Sequence, residues 1–129
     1  MRIERVGGGV TAPQGFRAAG LHCGIKKNGK LDLSLVVSDA PSTQAAGLFT
    51  TNLAKAAPVL VSQRYLTASG GAARAIVTNS GCANACTGPQ GMADAEEMAA
   101  LTARALDSPV EQVLVASTGV IGVNLRMFT

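Results

Sequence analysis

Tryptophan is absent from this chain of 129 residues, and aromatic side chains make up only 3% of it. A core without aromatics is assembled from Ala, Val, Leu and Ile, which brings elements close together but buries little area per residue. The segment is therefore expected to lean on further structure for its stability. Few aromatics also means few platforms for base stacking. The charge balance adds no basic stripe: 11 basic and 8 acidic residues leave a net charge of +3, with IKKNGK (Ile25 to Lys30) the one basic cluster. Neither mark of a nucleic-acid binder is present. Cysteine is scarce and odd in number (Cys23, Cys82, Cys86), and MRIERVGGGV has no apolar signal-peptide core. Both point to a reducing compartment, and the expected location is the cytoplasm. No stretch approaches the ~18 apolar residues of a membrane span.

What is present suffices for one domain, residues 1–129, with 47% hydrophobic residues to form a core. Met1 to Val6 alternates apolar and polar residues and predicts a short strand. GGGVTAPQGF reads as a loop. AAGLHCGIK and KLDLSLVVSD predict two strands joined at KNGK, where Asn28-Gly29 is a hairpin signal. AAGLFTTN predicts another short strand ending at Asn52, and APVLVSQRYL begins with strand character and passes into helix. ARAIVTNS reads as a buried strand running into the glycine-rich loop GCANACTGPQG. From Met92 to Leu106 the pattern turns helical, with Met98, Leu101, Ala105 and Leu106 on one spacing. Asp94, Glu96 and Glu97 fall near its start, where acids complement the positive end of a helix. Pro109 stops it, and VEQVLVAS is the last strand. No repeat, linker or domain boundary interrupts the chain. Hairpins combined with one long helix favour an α+β fold.

Several motifs fail on context. GGGVTA fits the loose dinucleotide pattern, with Asp32 about twenty residues on, but Pro13 and Gly15 interrupt the helix that it must open. GIKKNGK fits the P-loop spacing, but Leu31 stands where a magnesium-binding hydroxyl belongs, and a strand follows. No G-x-S-x-G elbow exists, and His22 is the single histidine. A Ser-His-Asp triad has only that residue to build on, and a structural or surface role suits it better. Cys82 and Cys86 are spaced C-x3-C without a second ligand pair, so small buried thiols are the expected reading and no metal site is assigned.

Two strand-to-loop transitions remain, TNSGCANACTG and ASTGVIG. Each fits plain turn chemistry. Each also fits an oxyanion hole, in which a backbone N–H and a hydroxyl stabilise charge that appears only in the transition state. In ASTGVIG, Thr118 supplies a hydroxyl and Gly119 lets the backbone approach closely.

The segments TAPQGFRAAGLHCGIKKNGKLDLSLV, GLFTTNLAKAAPV, AIVTNSGCANACTGPQG and VLVASTGVIG run in order over nearly the whole chain. Together they resemble the N-terminal part of the glutamate N-acetyltransferase family, the ornithine acetyltransferases of arginine biosynthesis. The resemblance implies acetyl transfer from N-acetylornithine to glutamate, with acetyl-CoA used by some members and no resident cofactor. It also implies a precursor that cuts itself before a threonine, whose freed amine activates that threonine as nucleophile. The two resulting chains associate as a heterotetramer, in an α+β sandwich of sheets flanked by helices. The family's oxyanion threonine and glycine map onto Thr118 and Gly119.

The nucleophile of that family lies beyond this motif, so none is expected within residues 1–129, and the chain alone is expected to be inactive. Thr50-Thr51 belongs to an early strand and is a different segment. The family commonly has Asn where Cys82 stands and often Pro where Arg126 stands, and RMFT departs from its course. Two alternatives remain at this point: a non-catalytic fragment or partner-binding module of the same fold, and a nucleotide-binding module resting on the weak glycine motifs alone.

Overall fold

The computed structural model describes residues 3–127. Its elements are β1 (Phe16–Leu21), β2 (Leu33–Ser38), α1 (Ala57–Ala68), β3 (Ala75–Cys82), α2 (Gly88–Ala105) and β4 (Val113–Val120), with a 3-10 turn at Val110–Gln112 before β4. The strands form one sheet in the order β1-β2-β3-β4. The first two pairings are antiparallel and β3 pairs parallel with β4. A parallel pair needs a crossover long enough to return the chain to the same end of the sheet, and α2 supplies it.

Side chains alternate across the strands, which divides the sheet into two unlike faces. Val77 and Val115 stand opposite each other, as do Ala75 and Val113, and all four are buried. Both helices cover this face. Ala95, Ala99 and Ala103 recur at helical spacing along α2 with Met98, and α1 adds Ala57 and Val61. The alanine stripe lets α2 lie close to the sheet, which is how a chain without aromatics closes a core. The opposite face carries Val36, Ile76, Leu114 and Ala116, and it lacks a covering layer: Ile76 is 44% exposed. The α+β arrangement expected from sequence is present as one sheet with helices on one side.

The free side of β4 is closed at one point by α1. The buried hydroxyl of Ser62 donates to the Val115 carbonyl at 2.6 Å and accepts from the Val115 amide at 2.8 Å. One side chain thereby stands in for a neighbouring strand.

Several expectations are corrected. Ile3 to Val6 form no strand, and Met1 and Arg2 lie outside the described residues. The 45–52 segment forms no strand either. Its flank makes a single bridge, Gln44 to Ala72, and Leu48 stands fully exposed, because no neighbouring strand is there to pair with it. Residues 57–68 are helical from the start: Pro58 sits in the first turn, where its missing N–H is harmless, and burial of Ala57 and Val61 outweighs the β-branched run. The hairpin is real, but its turn is longer than a two-residue one. Of Asn28-Gly29 only Gly29 has positive φ (71°), and the Asn28 side chain instead accepts from the Lys30 amide at 3.2 Å. The second helix begins a turn earlier than expected, at Gly88, so its first turn holds no acidic residue. Asp94 is buried, Glu96 pairs with Arg64 at 2.6 Å, and Glu97 lies 3.8 Å from Arg104. Phe128 and Thr129, the end of RMFT, lie outside the described residues.

Candidate active site

The two transitions singled out in the sequence lie side by side. Register pairs Asn79 with Ser117, Ser80 with Thr118, and Gly81 with Gly119 at the carboxyl ends of the parallel strands β3 and β4. The ladder is irregular at Gly81 and Cys82, where a bulge shifts the register. Both glycines hold positive φ, 115° at Gly81 and 130° at Gly119. They are required twice over. The conformation is one that L side chains rarely adopt, and a Cβ at Gly119 would stand 2.7 Å from the Cys82 nitrogen and the Gly81 Cα.

Thr118 and Gly119 are exposed. Alternation from Leu114 and Ala116 puts the Thr118 side chain on the uncovered face of the sheet, beside Ser80. Among the described residues its hydroxyl has no hydrogen-bond partner. Behind it, on the helix-covered face, Asn79 is fully buried. Its Nδ2 donates to the Cys82 carbonyl at 2.8 Å, and among the described residues its Oδ1 is left without a partner, as is the buried Ser117 hydroxyl.

The loops that follow the two strands are tied together. The Ala83 amide donates to the Val120 carbonyl at 2.9 Å and the Gly122 amide to the Ala85 carbonyl at 2.8 Å. The buried Cys82 thiol donates to the Val123 carbonyl at 3.0 Å. Asn84, at φ 47°, donates from Nδ2 to the Gly91 carbonyl at 2.7 Å and accepts from Thr87 Oγ1 at 2.7 Å, which fixes the entry into α2. The expectation of two buried thiols holds for Cys82 only. Cys86 is exposed, on the turn that leads into α2.

A second fixed point is the β1–β2 loop, which leans on Gly81 through Ile25 and Lys26. Asp32 organises it. Its fully enclosed carboxylate accepts from the Cys23 amide at 2.6 Å and the Lys26 amide at 2.8 Å, with His22 Nδ1 3.0 Å away. Burial opposes ionisation of Asp32, but the two amides, the Cys23 thiol and the charge of His22 together hold it well below the usual carboxylate range. Burial and the neighbouring carboxylate push the Cys23 thiol up. His22 is therefore part of a loop anchor, in keeping with the structural role preferred for it. Among the described residues no group of three His, Cys, Asp or Glu side chains could hold a metal ion.

Gly81 as the neighbour of Gly119, and Asn79 beneath both, were not singled out from sequence. The signal was the repeated step of a hydroxyl residue followed by glycine, Ser80-Gly81 and Thr118-Gly119, at the ends of two strands.

A mixed sheet is backed by two helices in an α+β fold, with hydroxyl-glycine steps at adjacent strand ends on its open face. Comparison with known proteins places it. The sequence profile of the ArgJ family matches residues 17–129, and the chain belongs to that family. It is 56% identical over 118 residues to the arginine biosynthesis bifunctional protein ArgJ of Thermotoga neapolitana, covering 92% of this chain and 29% of that protein. The ArgJ protein of Gloeobacter violaceus is likewise 56% identical, over 95% of this chain and 30% of its own length. The chain thus spans about three tenths of the curated relatives that it matches. Among solved structures, ArgJ of Bacillus halodurans superimposes with a TM-score of 0.88 at 42% identity, over 93% of this chain and 61% of that one. The ornithine acetyltransferase of Mycobacterium tuberculosis, solved in complex with ornithine, superimposes with a TM-score of 0.84 at 52% identity, over 92% and 63%.

Proposed function

We propose that this chain carries the oxyanion-stabilising part of an acetyl-transfer site that acts in arginine biosynthesis. Thr118 Oγ1 and the Gly119 amide are the donors. The acetyl group passes from N-acetylornithine to glutamate, with acetyl-CoA as a further acetyl source and no cofactor. A threonine freed by self-cleavage in the adjoining family sequence is the nucleophile. Its own amine takes the hydroxyl proton as its oxygen attacks the acetyl carbonyl, whose electron pair moves onto the carbonyl oxygen. That oxyanion collapses and breaks the C–N bond, the ornithine amine leaving with the proton held by the threonine amine; the glutamate amine then attacks the acetyl-threonine, loses a proton to the same amine, and expels the threonine oxygen, which takes that proton back. At both steps the transient negative charge sits where Thr118 and Gly119 donate.

The observation that carries this reading is the Gly81–Gly119 crossing. It holds the backbone after Thr118 in a shape that favours glycine, at the surface, beside a hydroxyl that has no hydrogen-bond partner among the described residues. A structural turn needs no such hydroxyl. The complementary chain completes a heterotetramer in the cytoplasm, and its docking covers the open sheet face. The alternative, a non-catalytic partner-binding piece, draws on that same uncovered face.

The test is Thr118→Ala in an assembly containing this chain and the rest of the family sequence. A donor used chiefly in the transition state lowers kcat more than it raises KM. Loss of one such donor is expected to cost about 2.7–4 kcal/mol, on the order of 10²–10³ in rate. Thr118→Ser keeps the hydroxyl and retains much of the activity. Equal turnover in the alanine variant and wild type would leave the partner-binding reading in place.

A further inference from the structure

We propose that Asn79 is a positioning residue for the Thr118–Gly119 donors, acting through the backbone of the neighbouring strand. This rests on the oxyanion reading above.

The chain of contacts is short. Asn79 Nδ2 donates to the Cys82 carbonyl at 2.8 Å, across the residues where β3 bulges. The bulge sets the path of Gly81 and Cys82. Those are the atoms that Gly119 crosses, so closely that a Cβ there would overlap the Gly81 Cα and the Cys82 nitrogen. A bulge of slightly different shape changes where the β4 backbone passes, and with it the direction of the Gly119 amide. The thiol of Cys82 adds a second tie, to Val123 on the loop after β4. Asn79 thus holds the bulge of β3 at the point where Gly119 of β4 crosses it.

Asn79 is fully buried and borders a cavity of about 160 Å³ shared with Ile25, Leu33, Met98 and Leu125. Among the described residues its buried Oδ1 has no partner. An unpaired buried acceptor opposes folding, and a small apolar residue in the same position would avoid that cost. The geometry therefore identifies the bond to Cys82 as the use of this side chain. Ser117, paired with Asn79 on the same face, also has a buried hydroxyl without a partner among the described residues.

A positioning residue affects the placement of donors and leaves substrate contacts alone, so its removal lowers kcat and spares KM. Misplacement of a catalytic group by about 1 Å costs up to about 100-fold in rate. In the assembly of this chain with the rest of the family sequence, Asn79→Ala is expected to lower kcat about 10–100-fold, with KM within about twofold of wild type. Because the donor that Asn79 aims and the Thr118 hydroxyl serve one oxyanion and act as a unit, its effect should shrink once that hydroxyl is gone. The double variant Asn79→Ala/Thr118→Ala is expected to be no more than about threefold slower than Thr118→Ala alone. A merely structural residue gives losses that multiply. Asn79→Ser, whose hydroxyl is too short to span to Cys82, serves where the alanine variant does not fold. It should stay folded and show the same loss in kcat and the same non-additivity.

The outcomes separate this inference from the reading beneath it. If Thr118→Ala leaves turnover unchanged, the oxyanion site itself is wrong. If Thr118→Ala is impaired while Asn79→Ala and Asn79→Ser turn over within twofold of wild type, or their losses multiply with that of Thr118→Ala, the positioning role alone is overturned.

Discussion

Replacing Gly119 with alanine tests the geometry of the strand crossing directly. At φ 130° the residue occupies a region where L side chains are strained, and holding such a conformation costs about 1–3 kcal/mol. The added methyl also has nowhere to go. Its carbon would stand 2.7 Å from the Cys82 nitrogen and the Gly81 Cα, backbone atoms of a paired strand that cannot turn aside as a flexible side chain would. Overpacking of this kind adds about 1–3 kcal/mol. The sum, about 2–6 kcal/mol, is a large share of the roughly 5–15 kcal/mol that holds a typical domain together. Gly122 provides the control. It also has positive φ, 78°, but a Cβ there meets nothing within 4 Å. Gly122→Ala should therefore cost only the left-handed conformation, about 1–2 kcal/mol. Urea unfolding followed by circular dichroism, on the same assembly for both variants, measures the difference. Gly119→Ala is expected to be the less stable of the two by at least about 1 kcal/mol. Equal losses in the two variants, or a loss below about 0.5 kcal/mol at Gly119, would show that the strands do not cross as described and refute the argument.

Three further outcomes follow from other contacts. Ser62→Ala leaves the buried amide and carbonyl of Val115 unpaired, for an expected loss of about 2–4 kcal/mol in unfolding free energy; a loss under 0.5 kcal/mol would mean that water or another group reaches the β4 edge. Asp32→Asn is expected to lower the melting temperature at neutral pH by weakening the anchor of the β1–β2 loop. Because the folded-state pKa of Asp32 is depressed, its contribution is complete above the ordinary Asp value of about 3.9. It fades as pH falls below that value toward the folded one. The gap between wild type and variant should therefore narrow on acidification from about pH 5, and a gap that stays constant to pH 3 would count against the anchor. Co-expression with the adjoining family sequence should raise solubility and melting temperature; a monomer that unfolds sharply and reversibly, indifferent to that sequence, would contradict the need for a covering layer.

Much of the framework was legible because its signals are local. The β1–β2 hairpin, the buried runs of β3 and β4 and the amphipathic part of α2 each carry their own periodicity, and Pro109 marks a boundary by its chemistry alone. The errors arose where a local pattern met a non-local fact. Met1 to Val6 alternates like a strand, but Ile3 to Val6 form none. PVLV looks like a strand, yet burial of Val61 against the sheet makes it helix. Asp94 resembles an N-terminal helix acid, but the earlier start of α2 at Gly88 carries it into the second turn and the protein interior. At the site, Thr118 and Gly119 were visible as a hydroxyl-glycine step and through family resemblance. Gly81 and Asn79 were not assigned, since their part depends on strand register, and register between β3 and β4 is set by a crossover that sequence pattern does not measure.

The position of Thr118 on the uncovered face joins the fold's weakness to its chemistry. Val77 and Val115 fix β3 and β4 to the helices from one side, and Ser62 closes the free edge of β4, so the strand ends stand on a platform rigid from below. From above, Ile76, Leu114 and Thr118 all face outward, and Leu114 and Thr118 lie on the same strand two alternations apart. At about 3.3 Å per residue that is roughly 13 Å, less than the length of a short strand and about two and a half helical turns. A layer that buries the apolar part of this face therefore reaches the donors at its end without extending further. Covering the face removes apolar surface from water and excludes water from around the Thr118 hydroxyl, and a hydrogen bond to a developing negative charge strengthens as water is excluded. On the oxyanion reading proposed above, the docking event that stabilises the sheet would also make its donors effective, which accounts for an exposed threonine with no partner among the described residues at this strand end.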